Sequence, residues 1–320
     1  MMLPASVQVT DVVARDGFQD EPRVLPTDGK LRVIEGLVRA GLRSIEATSF
    51  VHPRVVPQLA DAEQVMARVP RRAGVAYSAL VPNRKGAERA LAVGVDEVRL
   101  VISASESHNR ANLNRTVRES LDELTQTVDY LRSAAPQLTI STGIAAALGC
   151  AFEGFLPIER ILWLAGELVA LGMRAIYLAD TNGMASPRQV RDVLTATRAR
   201  FPEVTLGLHL HDARGMAQAN VLAGLLEGVT RFDSSLGGIG GCPFTAGAAG
   251  NIATEDLVHM LHLMGIETGI DLDILLHEAG TLREVVGHDL QSRTAKAGKS
   301  TALHSLDTVK PASSKNFSRD

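Results

Sequence analysis

Eight times along its 320 residues this chain repeats a two-part pattern, a short β-branched or apolar run followed by a stretch with helical spacing. That alternation is the signature of βα units around a parallel sheet. The runs fall at Val7 to Val12, Arg43 to Ala47, Gly74 to Leu80, Glu97 to Ile102, Leu138 to Ile144, Ala175 to Ala179, Thr205 to His211 and Arg231 to Ser235. Between them, Leu31, Ile34, Leu37 and Val38 share one helical face, and Gly41 stands where a C-terminal cap belongs. Pro157 opens a second clear helix that carries Ile161, Leu162, Ala165, Leu168 and Val169 before Gly172, and Thr254 is placed to cap a third. Eight such units close most naturally into a (β/α)8 barrel. An open doubly wound sheet would usually show Gly-x-Gly-x-x-Gly after its first strand, whereas Arg15-Asp16-Gly17-Phe18-Gln19-Asp20 stands there.

The expected class is therefore an α/β fold, a TIM barrel with a short C-terminal helical extension around Leu272 to Val286. The expected division is a barrel domain with its appended helix over 1–290 and a polar, loosely ordered tail over 291–320 that carries Lys296, Lys299, Lys310 and Lys315.

A net charge of -3 exerts no global pull on nucleic acid or an anionic membrane, so neither is an expected partner. Two cysteines, Cys150 and Cys242, make no disulfide framework and suit a reducing compartment. The start lacks signal-peptide and transit-peptide character, and no apolar run approaches the roughly 20 residues that span a bilayer. The expected setting is the cytoplasm.

Barrels of this type place their chemistry at the C-terminal ends of the strands. The first strand delivers Arg15 and Asp16 there, the second Glu46, the sixth Asp180, Thr181 and Asn182, and the seventh His209 and His211. Residues two apart on a strand face the same way, so the two imidazoles project together, with Cα atoms about 7 Å apart, and can converge on one metal ion. Taken singly, each residue has a plainer explanation: Asp16 a turn cap, Glu46 an ion-pair partner of Arg15, and Asp180 an Asx-turn before Gly183. Acidic, basic and imidazole groups converging from several strands point instead to a site. The eighth strand leads into a glycine-rich loop, Gly237 to Gly250, that holds Cys242 and is followed by Asn251. Such a loop can serve as a lid.

Together these segments resemble 3-hydroxy-3-methylglutaryl-CoA lyases, members of the metal-dependent lyase and synthase barrels that share an Arg-Asp-Gly start. The matching stretches are Arg15 to Glu21, Ile45 to Phe50, Ala147 to Cys150, Ala179 to Thr181, His209 to Asp212, Gly238 to Phe244 and Gly250 to Asp256. The cysteine loop is the most specific, because it separates the lyases from the condensing enzymes. The resemblance implies a divalent metal on Asp16, His209, His211 and the side-chain oxygen of Asn251. Mg²⁺ or Mn²⁺ suits these donors, and Zn²⁺ or Co²⁺ remains compatible with the imidazoles. It further implies that Arg15 stabilises an enolate, that Cys242 takes part in proton transfer, and that Glu46 and Asp180 assist. An acyl-CoA substrate and a homodimer complete the implied picture.

Some positions depart from the resemblance. Ser141 stands where the lyases carry arginine, Asn182 replaces an aliphatic residue, Arg214 replaces an aromatic, and a proline after Cys150 is missing. These changes surround the expected substrate pocket, so Arg15, Asn182, Arg214 and Ser141 are the expected substrate contacts. The leading expectation is cleavage of 3-hydroxy-3-methylglutaryl-CoA to acetyl-CoA and acetoacetate. The alternative is the same chemistry on a related 3-hydroxyacyl-CoA such as citramalyl-CoA. More remote are a synthase joining acetyl-CoA to a 2-oxo acid, a metal-dependent hydrolase and a noncatalytic binding barrel. Arg84, Lys85, Arg110 and Arg115, after strands three and four, are candidates to hold the CoA phosphates.

Overall fold

A computed structural model describes residues 3–241 and 250–303. Strands β1 (Gln8–Asp11), β2 (Ser44–Ser49), β3 (Ala76–Leu80), β4 (Glu97–Ser103), β5 (Thr139–Ala145), β6 (Ala175–Asp180), β7 (Thr205–Leu210) and β8 (Arg231–Ser234) pair in parallel in chain order. The barrel closes where Gln8 to Asp11 lie in register with Arg231 to Ser234. Each expected strand is present with ends within about two residues. The shifts of two residues are at the start of β3 and the end of β2, which extends to Ser49 across a register irregularity between Glu46 and Thr48 in its pairing with β3. Such irregularities re-aim side chains, and this one sits at Glu46.

The surrounding helices are α1 (Thr27–Arg39), α2 (Ala62–Arg68), α3 (Arg84–Ala92), α4 (Glu106–Leu113), α5 (Val117–Ala134), α6 (Ile158–Ala170), α7 (Pro187–Arg200), α8 (Ala217–Leu226), α9 (Thr254–Leu263), α10 (Leu272–Val286) and α11 (Arg293–Ala297). Their apolar faces cover the outward faces of the strands. On β7, for example, Leu206, Leu208 and Leu210 are all buried. Thr254 opens α9 with its hydroxyl donating to the buried carboxylate of Asp11 at 2.6 Å, while Ala253 takes the cap position expected for Thr254.

The appended helix α10 is capped by Asp271 and ends at Gly287 in the left-handed region. It packs on α1, with Arg39 pairing the buried Glu278 at 2.9 Å and Arg32 pairing Glu284 at 3.0 Å. Gly36 of α1 makes this approach feasible, since a Cβ there would lie 2.4 Å from a Glu278 oxygen.

Order continues past residue 290. Gln291 and Ser292 donate their N–H groups to the Gly237 carbonyl, and Asp256 accepts from the Ser292 hydroxyl and from the Arg293 and Thr294 amides. The expected boundary at 290 thus falls inside a docked segment that runs through α11, because acidic acceptors on α9 and the β7 loop hold it. Residues 304–320 lie outside the described residues. Among the described residues no helix is long and apolar enough to cross a membrane.

The first turn of α9 also anchors the glycine-rich segment. Both carboxylate oxygens of the fully buried Glu255 accept from the Gly237 N–H, at 3.0 and 3.1 Å. Burial pushes this carboxyl up to about 8, against the pull of those backbone N–H groups, and Asp256 and Asp11 add to the rise. The folded form therefore binds more protons than the unfolded chain between pH ~4.5 and ~8, and stability falls as pH rises through that window. Glu255→Gln, close in shape to the neutral acid, should flatten the fall, by an amount on the order of a few kcal/mol, in denaturant melts across the same range.

Candidate metal centre and active site

Three side chains meet at the C-terminal mouth of the barrel. A five-residue π-turn, Val13–Gly17, follows β1 and swings Arg15 and Asp16 over the opening. Buried Asp11 fixes its start by accepting from the Val13 N–H at 2.8 Å. From β7 and the residue just beyond it, His209 and His211 turn their Nε2 atoms to face each other at 3.1 Å. Asp16 Oδ2 lies 3.6 Å from His211 Nε2 and 3.9 Å from His209 Nε2. One ligand atom from each of the three falls within 4.8 Å of the others, a group that could hold a metal ion.

Asn251 joins them through an isolated bridge to His211, beside the bond from the Ile252 N–H to the Leu210 carbonyl. Its amide nitrogen donates to Asp16 Oδ2 at 2.7 Å and faces the Ile239 carbonyl at 3.3 Å. Its Oδ1 is buried without a hydrogen-bond partner. Such an orphan is costly unless another group meets it, and an oxygen of this kind is what a hard cation takes. The donor set thus fits a divalent ion: one carboxylate, two imidazoles, and a spare amide oxygen.

The electrostatics agree. Burial works against ionisation of Asp16, but Arg15 and the two imidazoles outweigh it and hold the carboxyl well below the usual range. Burial also lowers the pKa of His211, which favours the neutral imidazole that coordinates. Arg15 is pinned on both sides, donating from Nε to Glu46 at 2.9 Å and pairing closely with Asp16. Glu46 is wholly buried and leaves Oε1 unpartnered.

The glycine-rich loop begins against this cluster. Gly240, at φ +94°, passes so close that a Cβ would lie 2.8 Å from the Asp16 carbonyl and 2.9 Å from Asn251 Nδ2. A Cβ on Gly250 would stand 1.8 Å from the Gly240 carbonyl, so the two stems of the loop cross at glycines. Asp20 accepts from the Gly241 N–H, and burial beside Asp16 pushes its carboxyl up to about 6. Cys242 lies outside the described residues, one position beyond this stem.

The other expected site residues stand farther from the convergence. Asp180 is buried with its two oxygens accepting from Met184 N at 2.8 Å and Ala185 N at 3.0 Å, four and five residues on, so it braces the loop after β6 rather than forming the expected Asx-turn. Burial pushes its carboxyl up to about 6. Asn182 accepts from the Ala151 N–H, and Arg214 donates to the carbonyls of Asn182 and Gly183, so these two tie neighbouring loops together. The Ser141 hydroxyl bonds to Glu97. Arg84 pairs with Glu88 and stacks on Tyr130, and Arg115 pairs with Glu123.

Sequence reading missed Arg99, the in-register neighbour of Ser141 on β4. Its buried guanidinium stands beside the position where the resembling lyases carry one. It pairs with Asp233 of β8 at 2.8 Å, and Asp233 in turn faces His209 Nδ1 at 3.3 Å. The available signal was weak, a basic residue at 99 followed by the apolar run Leu100 to Ile102, and an acidic residue at 233 beside Phe232.

A (β/α)8 barrel with a carboxylate and two imidazoles at its mouth, and an arginine beside them, defines a metal-type active site. The HMGL-like family model matches residues 6–281, and the chain belongs to that family. It is 44% identical to the hydroxymethylglutaryl-CoA lyase YngG of Bacillus subtilis (strain 168), over 94% of this chain and all of that protein. It is 42% identical to the (R)-citramalyl-CoA lyase of Chloroflexus aurantiacus, over 92% of this chain and 95% of that one. Among solved structures, an HMG-CoA lyase from Acinetobacter baumannii in complex with coenzyme A and 3-methylmalate superposes with a TM-score of 0.90. That match is at 41% identity and covers 96% of this chain and 99% of the other. The protein is an enzyme, a lyase.

Gly240→Ala should press its methyl into Asp16 and Asn251 at once. Mn²⁺ titration of the folded variant should show affinity lowered by at least about 10-fold, the scale set by disturbing groups that orient ligands.

Proposed function

We propose that this enzyme is a metal-dependent carbon-carbon lyase that cleaves 3-hydroxy-3-methylglutaryl-CoA to acetyl-CoA and acetoacetate. The observation that carries the reading is the convergence of Asp16, His209 and His211 beside Arg15 at the barrel mouth. Asp16, His209, His211 and Asn251 would hold the ion, with Mg²⁺ or Mn²⁺ as the preferred metal. Bound there, a divalent ion supplies Lewis acidity that lowers the pKa of the substrate's tertiary alcohol.

The protein's own groups account for the remaining needs. Breaking the bond beta to the thioester requires the hydroxyl proton to leave, so that its electrons form the new carbonyl. The bond's own electron pair then moves into the thioester as an enolate. Arg15 meets the charge that develops on the enolate oxygen, and Glu46 keeps the guanidinium aimed without rearrangement during the reaction. Cys242, on the loop that starts against Asp16, takes part in the proton transfer that converts the enolate to acetyl-CoA. Asp180 assists by holding the β6 loop. Asn182, Arg214 and Ser141 border the acyl pocket. An acyl-CoA substrate is supported by the coenzyme A in the A. baumannii structure. A homodimer follows from the family resemblance, and a cytoplasmic setting suits the free, buried thiol of Cys150.

A second reading, citramalyl-CoA cleaved to acetyl-CoA and pyruvate, is favoured by the near-equal identity to the Chloroflexus enzyme and by Ser141 in place of arginine. The two acyl groups differ by one methylene between tertiary alcohol and carboxylate, a difference a rigid chelate distinguishes.

Dialysis against a chelator should abolish turnover, and Mn²⁺ or Mg²⁺ should restore it; full activity in metal-free protein would refute the reading. A panel of 3-hydroxyacyl-CoA thioesters, followed by acetyl-CoA release, should show the methylglutaryl substrate cleaved with the highest kcat/KM. Arg214→Ala should lower that value about 30-fold, the equivalent of a lost charged hydrogen bond of about 2 kcal/mol. Faster cleavage of citramalyl-CoA would transfer the assignment to the second reading.

A further inference from the structure

Beneath the candidate ligands, the even-numbered strands contribute buried polar side chains that include Glu46 from β2, Arg99 from β4, Tyr177 from β6 and Asp233 from β8, with Glu97 of β4 also 3.6 Å from Arg99 Nε. Side chains from alternate strands form the layers that fill such barrels, and these layers are usually aliphatic. Here Arg99 Nη1 donates to Asp233 Oδ2 at 2.8 Å, and the guanidinium lies over the Tyr177 ring, 4.5 Å from its centroid. Small neighbours make the space. Ser141 is the register partner of Arg99, and a Cβ on Gly207 would stand 2.5 Å from the Tyr177 ring.

A buried ion pair is a poor stabiliser, because desolvation of both ions cancels most of the attraction, and well-packed apolar residues would fill the layer as well. What apolar residues would not supply is an acceptor for His209. Asp233 Oδ2 receives Arg99 from one side and faces His209 Nδ1 at 3.3 Å on the other. With the Nδ1 proton directed there, Nε2 of His209 presents a lone pair toward His211 and Asp16, which is the orientation a ligating imidazole needs. Without a fixed partner Asp233 would be free to swing away from His209, and the Arg99 guanidinium, donating at 2.8 Å, holds it in place.

We propose that Arg99 and Asp233 form a positioning pair that sets the tautomer and ring orientation of His209 for metal binding. The proposal rests on the metal-site reading above. Neither residue touches substrate; both act through the imidazole.

The test replaces the pair by apolar residues of similar volume, Arg99→Met with Asp233→Leu, which a purely packing role would tolerate. Two readouts are used. Mn²⁺ affinity, by calorimetric titration of metal-free protein, should fall by about 10- to 100-fold with the fold intact. In metal-free protein with ¹⁵N-labelled histidine, His209 should lose its Nδ1–H tautomer. Wild-type Mn²⁺ affinity together with an unchanged His209 signal in the double variant would overturn the proposal. Should that variant not fold, Asp233→Asn decides by the same readouts, with a loss of about 10-fold expected and no loss overturning it. Arg99→Lys, which keeps the charge but not the fork, should recover part of the affinity lost in Arg99→Met. His211→Ala separates the two failures. If it too leaves Mn²⁺ affinity unchanged, the metal site is wrong; if it abolishes binding while the Arg99 and Asp233 variants do not, only the positioning pair is wrong.

Discussion

Everything at the mouth of this barrel depends on keeping charges buried in a low-dielectric interior. Asp16 sits between Arg15 and two imidazoles, Arg15 between Asp16 and Glu46, and Asp233 between Arg99 and His209. Each charge is bearable only because its neighbour has the opposite sign or a proton to donate. Three carboxylates against two guanidiniums leave one negative charge uncompensated among these five groups. With neutral imidazoles, as burial favours for His211, that excess is a standing attraction for a cation at the open side of the cluster. The same fields fix geometry, because a group held by two partners has little freedom to leave.

The barrel delivers these groups by three different local devices. On β7 the two-residue period of a strand suffices, since it aims His209 and His211 the same way. After β1 the chain leaves the sheet through a π-turn, which places two consecutive residues, Arg15 and Asp16, over the opening where an ordinary strand would send them to opposite faces. After β8 the device is the absence of side chains. Gly240 and Gly250 let the two stems of the loop approach each other against Asp16 and Asn251. The segment from Gln291 to Ala297 then closes over the outer side, using Gly237, Asp256 and Asp212 as acceptors.

How much of this the sequence disclosed follows from the range of the interactions involved. The strands were legible because their period and flanking caps are local, and His209-x-His211 and Arg15-Asp16 were legible because each pair is adjacent in the chain. Asp180 shows what position alone leaves out: it stands at a strand end, and its two oxygens accept from the Met184 and Ala185 amides of the loop that follows. Arg214 shows the same, since its guanidinium donates to the β6 loop carbonyls of Asn182 and Gly183, a role its position does not disclose. Arg99 and Asp233 were invisible for a plainer reason. They are 134 positions apart, and only barrel closure brings them together. The docking of residues 291–297 was hidden likewise, because a polar segment looks loose until its acceptors on α9 are known.

That range also changes what the departures from the resembling lyases mean. Read singly, serine at 141 looks like the loss of a guanidinium, to be made good by some exposed arginine. In the folded barrel the guanidinium stands one strand over, at Arg99, and its presence constrains the neighbours: 141 must be small, 233 must be acidic, and Tyr177 needs Gly207 in order to lie flat beneath it. These positions form one packing and charge solution, in which a change at one is felt by the others. An arginine returned to 141 would enter a layer that already holds one at Arg99. Position 141 is therefore read correctly only together with Arg99 beside it and the pair that Arg99 makes with Asp233.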